Sequence, residues 1–542
     1  MKRFMFGAYA IQVLFVIVFS HGACAADKPF IIGSDKQLFI DFSLVESRDH
    51  VELVMNPPVK CGPVLRADRP WENLGVGSYG EVMEDDGLYR MWYESQSTSP
   101  ETVDEAEIEK GFTCYAVSCD GILWEKPVVG EHPFQGNMQN NIVFTFLHHG
   151  TVFKDPVALP GQRYKTIIYR SYFGETVHND AAYSPDGIHD WTIVKDRMNF
   201  LTDSQNMAFW DDQRQKYVFY VRGWTRDVLR TVVRFETDNI LAPWPVVPTE
   251  NTLKKHKELY PVITDEAQVV LRTDSSDPRP SDYYNPCVVK YPEAPNVYFA
   301  FPSMFFHLPE PPMGVELSDD DFIRSNATEP PYVHIPQHYD APASPAMERR
   351  NVKTRNSGFL DIRLCTSRDG ITWDRSHRGP YVSLGSECEP DNGSIYMLVG
   401  MLVRGGVIYQ YYTGNSTWHD GIEEQLSVIM RLEQRLDGFV SADAAYEGGE
   451  MVTKPLVFSG TTLHLNINTS AIGSAAVALL DENGRPFPGY DLRDCDVIRG
   501  NFIDKAVSWH DKSDVGSFDG KPVRLRIMMR DSKLFSLQFR SD

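Results

Sequence analysis

The sequence predicts an all-β chain: a five-bladed β-propeller followed by a C-terminal β-sandwich. Three observations predict it. A strand ending recurs with a Ser-x-Asp-Gly turn and a trailing tryptophan: Ser118, Asp120, Gly121 and Trp124; Ser184, Asp186, Gly187 and Trp191; Ser367, Asp369, Gly370 and Trp373. Weaker copies carry Asp238 with Trp244 and Asp437 with Gly438. Upstream of each copy lie two strand-like runs, apolar and then aromatic-rich, joined by a polar hairpin, and the whole unit occurs five times. After about Ser441 the pattern becomes an alternation of apolar and polar residues, with Asp481-Glu482-Asn483-Gly484 as a hairpin turn.

Asp-Gly makes the tight turn and the aromatic returns to pack, so these residues report the fold rather than a site. A unit of roughly 50–65 residues suits a propeller blade. A blade cannot bury both faces alone; radial stacking buries them and leaves a central funnel. The 542 residues exceed one ordinary core. The expected divisions are a leader over 1–25, a lead-in over 26–73 that reaches blade one and lies between the domains, the propeller over 74–445, and the sandwich over 446–542. A proline-rich stretch, His307 to Arg350, predicts a long insertion in blade four at about 305–358.

Lys2 and Arg3, the apolar run Phe4–Phe19 and the small-x-small signal Ala23-Cys24-Ala25 predict a cleaved export leader, hence a secreted or periplasmic protein. His21 stands where a lipidation signal has Leu. No later stretch is long and apolar enough to span a bilayer. The formal charge is −21 and becomes more negative by two when Lys2 and Arg3 are removed. That balance argues against nucleic acid and anionic membranes and suits a neutral substrate. Cys61, Cys114, Cys119, Cys287, Cys365, Cys388 and Cys495 remain after Cys24, an odd set without zinc-site spacing. Cys114 and Cys119 flank one short strand, where either a pair or two free thiols fit. No metal and no cofactor is implied.

From about residue 70 to 445 the chain resembles the five-bladed propeller glycosidases, the group that includes glycoside hydrolase families 32, 43 and 68, and most of all the exported bacterial proteins described as family 32-like. The resemblance implies a carbohydrate substrate and three carboxylates brought to the funnel by inner strands of separate blades: a nucleophile or base, a general acid, and an Asp that stabilises the transition state or tunes the acid. Phe153-Lys154-Asp155-Pro156 resembles the family 32 Arg-Asp-Pro motif at the start of blade two, which makes Asp155 the first catalytic candidate. The family's Asn-Asp-Pro-Asn-Gly motif is absent, and Gly77-Ser78-Tyr79-Gly80-Glu81 stands in its place. Glu81 is the candidate there, on the same face as Tyr79 by strand period.

Blade three opens with Asp203-Ser204-Gln205-Asn206, where Asp203 is a catalytic candidate and Asn206 a sugar ligand. Blade four opens with Tyr283-Tyr284-Asn285, where Tyr284 suits stacking and Asn285 hydrogen bonding. Blade five opens with Glu387-Cys388-Glu389-Pro390-Asp391. Glu387 and Glu389 are catalytic candidates and Asp391 a binding one; the Glu-Cys pair matches a family 32 motif that belongs to blade three. His149 beside His148, and His419, are expected to ring the funnel. Arg170, Arg222 and Trp224 end second strands as weaker binding candidates. The bland alternative for each is turn chemistry, a core tyrosine or a structural histidine.

Hydrolysis of glycosidic bonds in an oligosaccharide or polysaccharide is the leading expectation, and a non-catalytic carbohydrate-binding propeller the alternative. A sialidase would need six blades and an arginine triad, and in Ser367-Arg368-Asp369-Gly370 the glycine follows the aspartate one position early. A glycoside phosphorylase would need a basic phosphate site.

Overall fold

Apolar residues at alternating positions make one strand face sticky, and the strands collect into two bodies. A computed structural model describes residues 28–97, 111–145, 150–170, 178–224, 230–248, 250–255, 258–263, 268–278, 281–307, 333–334, 358–419 and 427–541. The expected leader, His148, His149 and nearly all of the expected blade-four insertion lie outside the described residues. Among the described residues every regular element is a strand or a single 3-10 turn, and no helix is long and apolar enough to cross a membrane.

The first body is a five-bladed propeller. Blade one is Gly75–Asp85, Leu88–Gln96, Gly111–Ser118 and Ile142–Phe144. Blade two is Phe153–Lys154, Tyr164–Arg170, His178–Ser184 and Thr192–Met198. Blade three is Met207–Asp211, Lys216–Trp224, Arg230–Thr237 and Val269–Leu271, with the hairpin Glu250–Lys255/Glu258–Val262 inserted before its last strand.

Blade four is broken across its middle. Its inner strand is Ser281–Tyr283 and Val288–Lys290, its second Tyr298–Ala300 and Ser303–His307, its third Gly358–Ile362 and Cys365–Ser367. The expected insertion therefore leaves between the second and third strands. Blade five has Ser394–Met397 and Leu402–Arg404 inside, then Val407–Asn415 and Val428–Arg435.

The outermost strand of blade five is Val59–Leu65, antiparallel to Val428–Arg435. The N-terminal segment expected as a lead-in thus closes the ring, and bridges Glu81–Val399 and Gly75–Ser427 join blades five and one. The same segment also enters the second body, a sandwich of two six-stranded sheets. Phe30–Gly33 and Val45–Asp49 join one sheet, and Gln37–Leu38 and Val51–Met55 the other. Val440–Ala444, expected as the tail of blade five, pairs with Val51–Met55 and Ser532–Arg540 in that second sheet. The inner faces share one core, in which Phe458 stacks on Phe539 with ring centroids 3.7 Å apart. Asp437 ties the two bodies: its buried carboxylate accepts from Tyr291 Oη at 2.7 Å in blade four, from Ser536 Oγ at 2.7 Å in the sandwich and from Lys36 Nζ at 3.2 Å.

Two repeated devices hold blade to blade. In the Ser-x-Asp-Gly turns the Ser oxygen takes the Gly N–H and one Asp oxygen takes the next two N–H groups. Each Gly carbonyl then accepts from an aromatic of the preceding blade: Gly187 from Trp92, Gly370 from Tyr220, Gly121 from Tyr411. In the second device an Asp closing an inner strand accepts from a Tyr that begins the next blade's second strand: Asp85 from Tyr164, Asp155 from Tyr217, Asp211 from Tyr298. Lys154, Lys165 and Lys290 complete the respective carboxylates.

Gly370 has φ +68°, and a Cβ there would stand 2.5 Å from Tyr220 Oη. Gly370→Ala is expected to destabilise the fold by about 2–4 kcal/mol, from left-handed strain plus displacement of that tyrosine. Gly405→Ala, at φ +61° with open space around it, is the control and should cost about 1 kcal/mol. Denaturant midpoints of the two variants compare them.

Candidate functional site

Side chains from the entry halves of inner strands, or from the segments just before them, meet across four blades. Tyr79 of blade one lies 6.1 Å, centroid to centroid, from Tyr396 of blade five, and Tyr284 of blade four lies 5.5 Å from Tyr396. Asn285 Nδ2 donates to Gln205 Oε1 at 3.1 Å, and Gln205 Nε2 reaches the Gly80 carbonyl at 3.5 Å. This chain of amides runs from blade four through blade three to blade one. Asn285 Oδ1 is held in turn by the Ser303 N–H at 2.8 Å.

Arg222, at the end of blade three's second strand, is the charged centre of the group. Its Nη1 donates to Asp203 Oδ2 at 2.8 Å, its Nε and Nη2 both reach the Tyr284 carbonyl, and the guanidinium lies 4.3 Å over the Tyr284 ring. The Arg222 side chain is fully buried, while Asp203 keeps 14% of its side chain exposed. Burial opposes the Arg222 charge, but the Asp203 carboxylate and the Tyr284 contacts together outweigh it and the guanidinium stays protonated. Asp203 and Ser204 have φ of +42° and +75°. Two consecutive non-glycine residues in the left-handed region are costly, and such strain gathers at functional sites. Asn206 fixes this turn by donating to Thr202 Oγ1 and to the Ser204 carbonyl, both at 3.0 Å.

Glu81 is buried on blade one's inner strand, and its Oε1 accepts the Val152 N–H of blade two at 3.0 Å. Burial pushes the Tyr79 phenol well above its usual range and raises Tyr284 as well, so both remain neutral hydroxyls at physiological pH. His419 Nδ1 lies 3.0 Å from Tyr396 Oη, and its ring meets Tyr284 at 4.8 Å.

The other sequence candidates lie elsewhere. Asp155 is the blade-two member of the inter-blade staples; besides Tyr217 and Lys165 it accepts the Val157 N–H at 3.0 Å. It matches Asp85, which lies four residues, or about 13 Å of strand, beyond Glu81. Asp391 is buried and accepts from Lys60 and Tyr412, both at 2.7 Å, on the side of blade five's outer strand. Glu387 and Glu389 sit in an exposed turn, where Glu389 Oε2 takes the Ser386 N–H at 2.6 Å. His149 lies outside the described residues. All seven described cysteines are free thiols, and among the described residues no group of His, Cys, Asp or Glu has metal-holding geometry.

Sequence reasoning missed a second buried ion pair behind Tyr284. Arg230 Nη1 lies 3.2 Å from Asp282 Oδ2, His307 Nε2 lies 3.3 Å from the same oxygen, and the Arg230 guanidinium sits 5.1 Å over the Tyr284 ring. The available signal was Asp282 directly before the Tyr283-Tyr284 pair. Burial alone would push the Asp282 carboxyl up, but Arg230 and His307 outweigh it and hold it at about 2 against an ordinary 3.8. A carboxyl lowered on folding stabilises fully above its unfolded pKa, about pH 4, and loses that contribution as pH falls through about 2. Asp282→Asn is expected to flatten the acid limb of a stability–pH profile between those values, read as denaturant midpoints.

No family model and no curated protein matches the sequence. Solved structures do overlay on it. An N-acetylgalactosamine deacetylase from F. plautii, in complex with blood group B trisaccharide, aligns at 12% identity over 71% of this chain and 96% of its own, with a TM-score of 0.40. A glycosyl hydrolase from Bacteroides ovatus aligns at 11% identity over 74% of this chain and 96% of its own, TM-score 0.38. The catalytic domain of a Coprinopsis cinerea family 62 α-L-arabinofuranosidase aligns at 9% identity over 72% and 99%, TM-score 0.37. At this identity and overlap they are distant likenesses.

Proposed function

We propose that the chain is an exported glycoside hydrolase acting on a neutral oligosaccharide or polysaccharide, with Glu81 and Asp203 as its reactive carboxylates. The observation that carries this reading is the convergence, across four blades, of three tyrosines and the Arg222–Asp203 ion pair. Glycosidic cleavage needs one carboxylic acid to protonate the departing oxygen and one carboxylate to meet the oxocarbenium-like centre. Arg222 suits Asp203 to the ionised role, as nucleophile, base or charge stabiliser. Glu81, buried on blade one's inner strand, is the carboxyl left for the proton-donating role. The tyrosine rings offer stacking surface and their neutral hydroxyls hydrogen bonds to a sugar. The overall charge of −21 favours a neutral substrate.

The test is turnover. The leaderless chain, incubated with a panel of aryl glycosides and neutral oligosaccharides, is expected to release reducing sugar from at least one. A binding propeller without catalysis is the second reading, favoured by the occupation of Asp203 by Arg222. Saturable glycan binding at this site with no product would establish that reading and end the hydrolase assignment.

A further inference from the structure

The sandwich carries a cleft of about 520 Å³, lined by His50, Glu52, Asp443, Asn468, Asp531 and Lys533. Its size falls within the roughly 300–1,000 Å³ of small-ligand sites. Strand register puts its polar groups in one row: Glu52 stands opposite Asp443, Asp443 opposite Lys533, and Lys533 opposite Asn468. The row lies near the junction with the propeller: Lys533 is two residues from Phe535, on which Arg435 of blade five packs at 4.6 Å.

Part of the row is already committed. Lys533 Nζ donates to Asp443 Oδ2 at 2.6 Å and to Asn56 Oδ1 at 2.9 Å, and Asn468 Oδ1 takes the Ser470 N–H at 3.0 Å. The Glu52 carboxylate and the Asn468 amide N–H groups are left without a partner among the described residues. Val54, two residues along the strand from Glu52, adds an aliphatic side chain to the lining. A carboxylate acceptor and an amide donor beside aliphatic surface match the vicinal hydroxyls and C–H face of a sugar ring. Three carboxylates against one ammonium exclude an anionic sugar.

We propose that this cleft is a second, non-catalytic site for a neutral glycan, separate from the propeller cluster and independent of whether that cluster hydrolyses. Its occupant is held by Glu52 and Asn468.

Affinity electrophoresis of the leaderless full-length chain in native gels containing soluble arabinan, galactan or levan tests this, with polygalacturonate as the anionic control. Retardation is expected in at least one neutral gel and none in the control. Combining Glu52→Ala with Asn468→Ala should weaken it about thirty-fold or more, the loss of two hydrogen bonds including a charged one, with Tm and any turnover of a small aryl glycoside unchanged. Tyr284→Ala in the propeller should leave a retarded protein. Retardation that survives the double variant, that vanishes with Tyr284→Ala alone, that requires added Ca²⁺, or that is absent from every neutral gel overturns the proposal. Loss of turnover bears only on the propeller site, so the two readings fail separately.

Discussion

A chain lacking Lys28–Leu65 is expected not to fold. This stretch supplies four strands to the sandwich and the outermost strand of blade five. Ile32, Leu38, Phe39, Ile40, Leu44, Val45, Val51 and Leu65 on it are all buried. Burying one such side chain contributes roughly 1.5–3 kcal/mol, so the group together rivals the ~5–15 kcal/mol net stability of a whole domain. Deletion would also expose the edge of Val428–Arg435, a template for aggregation. The truncated chain should therefore be recovered insoluble or without a cooperative thermal transition. A soluble product melting at the wild-type Tm would show that neither ring closure nor the sandwich depends on this segment.

Arg222→Met should damage both stability and function. It removes a fully buried cation that joins Asp203, the Tyr284 carbonyl and the Tyr284 ring. Breaking a buried pair by removing one partner typically costs about 3–5 kcal/mol, because the remaining charge has lost its compensation. With the strained Asp203–Ser204 turn no longer anchored, kcat/KM on any accepted glycoside should fall about 100-fold or more. Arg222→Lys keeps a charge but not the fork that reaches two acceptors, and should fall between. Urea midpoints and kcat/KM for both variants decide this; a fall in stability at unchanged kcat/KM would make Arg222 a purely structural residue.

Local features were legible in the sequence and long-range ones were not. The Ser-x-Asp-Gly turns could be read because their hydrogen bonds close within three residues. Ring closure could not, because Lys60 pairs with Leu432 across most of the chain and neither strand carries a mark of the other. Strand period put Tyr79 and Glu81 on one face as candidates, and clustered polar and aromatic residues marked the blade-three and blade-four openings. Asp155 was drawn toward catalysis by its Lys-Asp-Pro context. Its counterparts Asp85 and Asp211 likewise end an inner strand before a hairpin, and only the shared tyrosine contacts reveal the class. Glu387, Glu389 and Asp391 were placed correctly before blade five's inner strand; which way a turn directs its acids is a tertiary property. Arg230, Asp282 and His307 went unnoticed because they border segments without strand periodicity, and their pairing spans three separate strands.

The most direct test compares three carboxylates on one accepted substrate: kcat/KM and Tm for Glu81→Gln, Asp203→Asn and Asp155→Asn. A mouth-centred hydrolase predicts losses of about 1,000-fold or more for Glu81→Gln and Asp203→Asn. Asp155→Asn should instead lower Tm through the Lys165–Tyr217 staple while kcat stays within a few-fold of wild type. Abolished turnover in Asp155→Asn at an unchanged Tm, with Glu81→Gln and Asp203→Asn still active, would contradict the placement of the site.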